Sequence, residues 1–573
     1  MSNQKNLTLD GFRGINRRAK HDEPYASDIV NFRIRSDGSL EKRCGYRPLV
    51  SLRKTPRAWI VSSENGTPMG YALLDDEVVS VDLSTGAISN LGFVNTEDGP
   101  ACFFFDRGTL YLTDGEDLYA YDAEDFVPCY GYVPLLGKDW KNNEVGPIHE
   151  PKNVLNRHVR ITYRIADPPS GFLCVGEPIE SVEAVYQNGR LLSADEYYID
   201  DACNSVNVYT QPLEGYCLTV YVTLKADLSQ KKDLLCQATN ALLFGDADNH
   251  RLFLWGMEDS PATVFCSDFV SEKDLEESKK HYPKSDFAYF PRGFDFVVGD
   301  GKHKLQNAVR QQDRLLFFTE GEAWMSQADT SGAKDFPTVC VHPSIGCAAD
   351  GGATLAGNDP VSVGDFTVWR WEKDSDHTGG YHGVSLSAPI DESIDPQEYS
   401  ELRVFYDFRE NELWLFHPQS GNIRICHLPS GNWYRFEGIS ADCFFHAKDT
   451  TGFRKGNELY LFDRTLKEDQ KSDGSTVPIH AVYQSGFLDF GTAERKNLSH
   501  LALLGDTDGG TVSVSFHGDE CATVSCELSA EDTEPPHILL RRIASGRFRT
   551  ASFTLNAPDG CRQVIRRLEL YTR

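Results

Sequence analysis

Apolar and polar residues alternate at period two along most of the chain, in short runs bounded by Gly, Asp, Asn or Pro. The runs ACFFFD, RLFLW, LLFFT, FTVWRW, ELWLF and ELYLF are rich in aromatic residues, and each predicts a strand that ends in a tight turn. Helical periodicity is nearly absent. One segment, Ser271 to Lys280 (SEKDLEESKK), predicts a helix, with Ser271 as its N-cap and Asp274 at the capping-box spacing. The pattern therefore predicts an all-β protein with many short strands.

The runs also resemble one another, and a fixed period in a β-rich chain points to a propeller or a solenoid. Aligned on the apolar residue that opens each run, they place Leu110, Leu252, Leu315, Val368, Leu413 and Leu459 in register. From Leu252 onward the steps are 63, 53, 45 and 46 residues, near the roughly 40–50 residues of a four-stranded propeller blade. The clearest unit is Asn411 to Glu437, with Gly-Asn turns at Gly421 and Gly431 and Trp433 in the strand that follows. The segment from Gly66 to Asn90 has the same grammar and, with residues 100–123, supplies an N-terminal blade. The competing arrangement is an irregular array of β-sandwiches.

Two stretches break the period. Between about residues 150 and 225 the runs VRITYRI, VEAVYQNGRLL and SVNVYTQPLEGYCLTVYVTL include a type I′ hairpin signal at Asn188-Gly189 and a turn at Pro212 to Gly215, which predicts a small inserted β-sandwich. From about Phe487 onward, LSHLALLG, TVSVSFHG, RFRTASFTLN and QVIRRLELYT predict a second sandwich. The expected organisation is an all-β propeller: an N-terminal arm and hairpin over 1–50, first blades over 51–149, an inserted sandwich over 150–226, remaining blades over 227–485 and a C-terminal sandwich over 486–573.

A chain of 573 residues is long enough for several domains with cores that need no disulfide or metal. No apolar run reaches the ~18 residues of a membrane span, and the start, MSNQKNLTLDGFRG, has neither a basic n-region nor an apolar h-region. The expectation is a protein that neither spans a membrane nor follows the usual secretory route. Its formal net charge of −28 disfavours specific nucleic-acid binding, which needs clustered Lys and Arg to release counterions. The same charge lets an acidic wall pass a polyanion without holding it. The 15 cysteines include no C-x-x-C pair and no His at zinc-like spacing; Cys521 and Cys526 are the closest two, so the expectation is reduced and mostly buried thiols.

Motifs that carry chemistry are scarce. There is no G-x-S-x-G elbow, H-E-x-x-H, P-loop or G-x-G-x-x-G after a strand. The acidic turns Asp114 to Asp117 and Asp374 to His377 lack the spacing that arrays oxygens around calcium, and they are expected to be solvated turns. Paired carboxylates of the glycosidase kind cannot be placed from the sequence. His382, in GGYHGVSLS, is expected to be a turn residue, and Trp369 and Trp371, at period two, to fill the space between neighbouring blades rather than form a sugar platform. No catalytic, cofactor-binding or metal-ligating residue is assigned, and no enzyme activity is expected.

The N-terminal segment GFRGINRRAKHDEPYASDIVNFRIRSDGSLEKRCGYRPL resembles the opening of virion structural proteins of tailed bacteriophages. The matching elements are Gly14-Ile15-Asn16, then Ala26, Asp28 and Asn31, then Asp37-Gly38, Leu40, Arg43, Gly45 and Tyr46, with Arg13 in place of the first glycine of the usual pair. Further pieces in the same order are YFPRGFDFVVGDGKHKLQNAVRQQDRLLFFTEGEAWMSQ, Gly346 to Ala348, the turn around His382 and the blade end Trp433 to Phe436. The inserted segment is similar to small sandwiches of phage tail proteins. The resemblance implies a β-propeller tail nozzle, hub or DNA-stabilisation protein of short-tailed phages. It further implies a homo-hexamer in the virion tail, made in the host bacterial cytoplasm. Its implied partners are the head-to-tail adaptor and tail fibre proteins, with genomic DNA passing through an acidic lumen gated mechanically by loops. Two other readings differ in class: a tail-associated carbohydrate-binding or depolymerising propeller, and a cytosolic propeller that serves as an interaction scaffold.

Overall fold

Each aromatic run lies in a blade of four antiparallel strands, and seven such blades close into a ring. The structure, a computed structural model, describes residues 6–19, 23–62, 66–122, 124–141, 144–164, 172–202, 204–209, 217–225, 229–245, 250–327, 336–374, 380–529, 537–557 and 560–572. Among the described residues the blades span 58–93, 102–128, 240–297, 305–342, 353–385 and 403–437, and the seventh combines 443–463 with the strand Gly45–Ser51. The first strands of blades 1 to 6 abut in sequence. Phe405 against Phe444 (5.7 Å) and Trp59 against Phe445 (5.8 Å) carry the packing through blade 7 back to blade 1.

Alternation explains the sheets. In a strand such as Arg314–Thr319 nearly every side chain is buried, because both faces of an interior blade strand meet a neighbouring blade. Phe318 against Trp371 (5.7 Å) bridges blades 4 and 5, and the Trp371 indole donates to Ser362 Oγ (3.0 Å), so this tryptophan fills the gap between blades. The repeat register differs from the sequence alignment in one respect. Leu110, Leu252, Leu315 and Leu413 lie in second strands of their blades, whereas Val368 and Leu459 lie in third strands. The second and third strands have the same apolar grammar, so sequence alone could not tell them apart.

The propeller is closed by its N-terminus. Gly45–Ser51 pairs antiparallel with Glu458–Asp463 as the outer strand of blade 7, which joins the two ends of the ring through about six residue pairs of one ladder. The inserted sandwich packs a five-stranded sheet (135–140, 158–164, 217–224, 179–187, 190–191) on a three-stranded one (172–174, 205–208, 197–200), and begins earlier than residue 150. Its hairpin turn has Asn188 and Gly189 at φ 48° and 77°, the two positive values a type I′ turn needs. The turn expected at Pro212 to Gly215 lies outside the described residues.

The C-terminal sandwich also differs from expectation, because it is not made by the C-terminus alone. One of its sheets contains Phe32–Ile34 and Leu40–Lys42, with Asn6–Leu9 on the strand Val564–Thr572. The other is continuous with blade 6: Ala26–Val30 lies between Asn432–Glu437 of that blade and Ala481–Ser485 of the sandwich. The segment expected as an arm is therefore spread over blade 7 and both sandwich sheets.

Two α-helices are present among the described residues. Glu272–Lys279 is capped as predicted, with Ser271 Oγ accepting the Asp274 N–H (3.1 Å) and the Asp274 carboxylate returning to the Ser271 hydroxyl. Ser229–Cys236 has no sequence signal, since its first turn lacks an acidic residue and its last turn a basic one; it buries Leu235 and Cys236 between blades 2 and 3.

Candidate functional site

The residues of the N-terminal motif meet at one joint, where blades 6 and 7 contact the C-terminal sandwich. Gly14 runs against blade 6 so closely that a Cβ would lie 2.5 Å from Trp433 N, and the Ile15 N–H donates to Trp433 O (2.7 Å). Asp28 accepts two bonds from the Arg435 guanidinium (2.9 and 2.7 Å). Asn31, at φ 54°, is buried, and its side chain donates to His480 O (2.8 Å) and accepts from Glu437 N and Arg43 Nε (both 2.9 Å). Only a residue that tolerates the left-handed region and offers both donor and acceptor fits that position.

Arg43 is the centre of the joint. Its side chain is 3% exposed and makes a bidentate pair with Asp469 (2.8 and 2.7 Å), while further bonds reach Cys44 O and Glu437 O (both 3.1 Å). Gly38, at φ 78°, turns the hairpin, with Asp37 accepting from the Ser39 N–H (3.0 Å). Gly45 has its backbone against Glu468, which leaves no room for a Cβ. Tyr46 packs edge-on to Phe453 (5.0 Å) and Tyr460 (5.4 Å), and burial pushes its phenol up to about 12. Arg13, the departure from the phage-like motif, lies 5.3 Å from the Tyr25 ring centroid.

Beside this joint is a cleft of about 890 Å³ lined by the hairpin 33–44, blade 6 and 7 turns around Arg409 and Arg464, and, from the sandwich, Asp506 to Asp508 and the turn at Cys561 with the start of the strand Val564–Thr572. Nine Lys and Arg side chains line it against five carboxylates, an inversion of the charge balance of the whole chain. Glu412 is buried at its base between Arg33 Nε (2.5 Å), the Trp414 indole (3.0 Å) and the Tyr434 hydroxyl. Burial opposes the charge on Arg33, but Glu412, Tyr434 and Glu410 outweigh it and hold its pKa well above the ordinary value.

Two carboxylates in the cleft are shared between arginines, while Asp508 pairs with Lys467. Glu410 lies between Arg33 (3.8 Å) and Arg464 (2.5 Å), and Glu41 between Arg35 (2.5 Å) and Arg562 (2.6 Å). Burial raises the Glu41 pKa, and the two guanidinium groups reverse that and leave it below the ordinary carboxylate value. Arg409 is held by His446 Nδ1 (3.0 Å) and the carbonyls of Ala447 and Lys448. Among the described residues, neither Arg409 nor Arg566 has a carboxylate within ion-pair distance.

No family model and no curated protein matches the chain. Solved structures do. PorZ of the type-IX secretion system of Porphyromonas gingivalis is 10% identical, covers 77% of this chain and has a TM-score of 0.34; the match spans 42% of that chain. The AfRom2 CNH domain is 6% identical over 73% of this chain and 99% of its own, at a TM-score of 0.36. BamB from Moraxella catarrhalis is 9% identical over 80% and 98%, at 0.31. Likenesses this distant say nothing of activity or partner.

The remaining candidates from the sequence are structural or scattered. His382 is in the strand Tyr381–Ser385 and bonds Asp374 (2.7 Å), so it has an acidic partner and is not a turn residue. The rest of that acidic turn, Ser375 to His377, lies outside the described residues. Asp114 is fully buried rather than solvated. It caps its own turn through the Glu116 and Asp117 N–H groups (3.0 and 2.8 Å) and accepts from Thr96 (3.0 Å). The Trp369 indole donates to Gly364 O (2.8 Å). Of the described cysteines, Cys102, Cys236, Cys266, Cys347 and Cys426 are buried and Cys217 and Cys340 exposed. Sequence reasoning missed the cleft. Half of its signal was present as local basic runs, FRIRSDGSLEKR and CRQVIRR, in an acidic chain; Arg409 and Arg464 carry no such mark.

Proposed function

We propose that the chain is a structural component of the virion of a tailed bacteriophage, of tail-nozzle or hub type, and that six copies form a ring around the DNA path. One observation supports this reading above the others. The residues that carry the resemblance, from Gly14 to Tyr46, are those that tie blades 6 and 7 to the C-terminal sandwich, as a body that transmits mechanical load requires. A ligand-binding motif would instead present such residues to solvent.

The conduit in this reading lies between copies. The first strands of the seven blades carry only a few ionisable side chains, namely Asp106, Arg310, Arg403, Asp407 and His446 with the Cys and Tyr residues, and Asp407 is buried. The net charge of −28 then belongs to outer surfaces, where several copies could wall a passage that repels DNA. The chain's role is mechanical, with the adaptor and tail fibre proteins as neighbours.

Electron microscopy of the purified protein at high concentration tests the proposal, together with sedimentation analysis. Sixfold rings with an axial opening are the expected result. A chain that remains monomeric at every soluble concentration, with and without an adaptor ring supplied, refutes it.

A further inference from the structure

We propose that the cleft beneath blades 6 and 7 binds a ligand bearing several phosphoryl groups. The argument begins with charge. A molecule with a large acidic excess spreads its few cations over its surface unless something gathers them, yet nine line this one hollow. Arg43 is matched by Asp469, Lys467 by Asp508 and Arg33 by Glu412, but the remaining carboxylates are too few and are shared, Glu410 by Arg33 and Arg464 and Glu41 by Arg35 and Arg562.

The exposed members face the opening. Arg464 is 75% exposed, Arg562 54% and Arg35 42% in their side chains, and Arg566 is exposed with no carboxylate within ion-pair distance among the described residues. Arg409 is fixed by carbonyl oxygens and His446, with Phe408 4.7 Å from its guanidinium carbon, so its position is set without cancelling its charge. Arg409 thus uses three of its five N–H donors on the protein and contributes mainly charge, whereas the exposed guanidinium of Arg566, with no carboxylate within ion-pair distance among the described residues, suits bidentate oxyanion recognition.

The internal carboxylates select between anions. A carboxylate ligand would exchange one carboxylate for another at Arg464 or Arg562, with little net gain. A phosphoryl group brings nearly twice the charge and three acceptor oxygens, and it can bridge two arginines that now share one acid. The hollow of about 890 Å³ holds more than one such group. The source of the phosphates, a free polyphosphate or nucleotide on one side and a nucleic-acid backbone on the other, is decided by the test.

Binding of inorganic tripolyphosphate by calorimetry, and of a labelled single-stranded oligonucleotide by fluorescence anisotropy, is measured on the full chain at low and physiological salt. Both are repeated for Arg464→Glu, Arg566→Glu and, for the same charge change outside the cleft, Lys302→Glu, whose side chain is 78% exposed. The expected result is binding of at least one probe, weakened by about tenfold or more in each arginine variant and little changed in the lysine variant. If the oligonucleotide is the ligand, the salt slope also falls by about one for each arginine reversed. Tripolyphosphate binding alone identifies a free polyphosphate or nucleotide, and oligonucleotide binding identifies the backbone. The proposal is overturned if neither probe binds, if Lys302→Glu weakens binding as much as the arginine variants, or if polyglutamate competes as well as tripolyphosphate.

Discussion

Replacing Arg43 by Met should loosen the joint that holds propeller and sandwich together. The substitution keeps an unbranched apolar stem, shorter by the end of the guanidinium, and removes five donors. It leaves Asp469, 6% exposed, as a buried carboxylate without its bidentate partner, and it strips Asn31 of the bond from Arg43 Nε. Breaking a buried ion pair by removing one partner costs about 3–5 kcal/mol, mostly the penalty of the charge left behind. For 573 residues unfolding as one unit, ~2.1 cal/mol/K per residue gives an unfolding entropy of about 1.2 kcal/mol/K, so ~4 kcal/mol lowers the midpoint by about 3 °C. If blade 7 and the sandwich melt separately as a unit of about 200 residues, the same loss lowers that transition by ~10 °C. Differential scanning calorimetry measures both. The double variant Arg43→Met/Asp469→Leu should recover a large part of the loss, because the orphaned charge is gone. A single variant that costs less than about 1 kcal/mol, or a cycle without coupling, refutes the assignment of the pair as the centre of the joint.

Gly45→Ala should destabilise by about 1–3 kcal/mol although this glycine is not at positive φ, because its Cβ would overlap the Glu468 backbone; chemical denaturation measures it. A chain that begins at Thr55 lacks the outer strand of blade 7 and four strands of the sandwich, and should give insoluble protein or a non-cooperative melt, whereas an equally soluble, cooperative product counts against closure by the N-terminus. His158 is packed between Tyr130 (5.1 Å) and Tyr282 (4.8 Å), and burial holds its pKa below the ordinary value. The unfolded chain then takes up the proton first, so this histidine's contribution is intact above pH ~6.5 and is lost as pH falls below it. His158→Phe should reduce the drop in melting temperature between pH ~7.5 and ~5.5, and an unchanged drop sinks the idea.

The sequence by itself determined the class of the fold. Period-two alternation in aromatic runs, with Gly and Asn at the turns, admits strands and little else, and the recurrence of strand-turn-strand units set the propeller. It also placed the local features whose causes are local: the Ser271 cap, the Asn188-Gly189 turn and the inserted sandwich. What it could not decide depends on pairings between distant residues. That Gly45–Ser51 completes blade 7, that Ala26–Val30 bridges blade 6 to the sandwich, and that Arg43 meets Asp469 are outcomes of strand partners more than four hundred residues apart. A strand's own pattern records which face is buried but not which edge it will join. The cleft follows the same rule: Arg33, Arg409, Arg464 and Arg562 come from four separate turns and strands, and only the closing of the ring by the N-terminus brings their charges to one place.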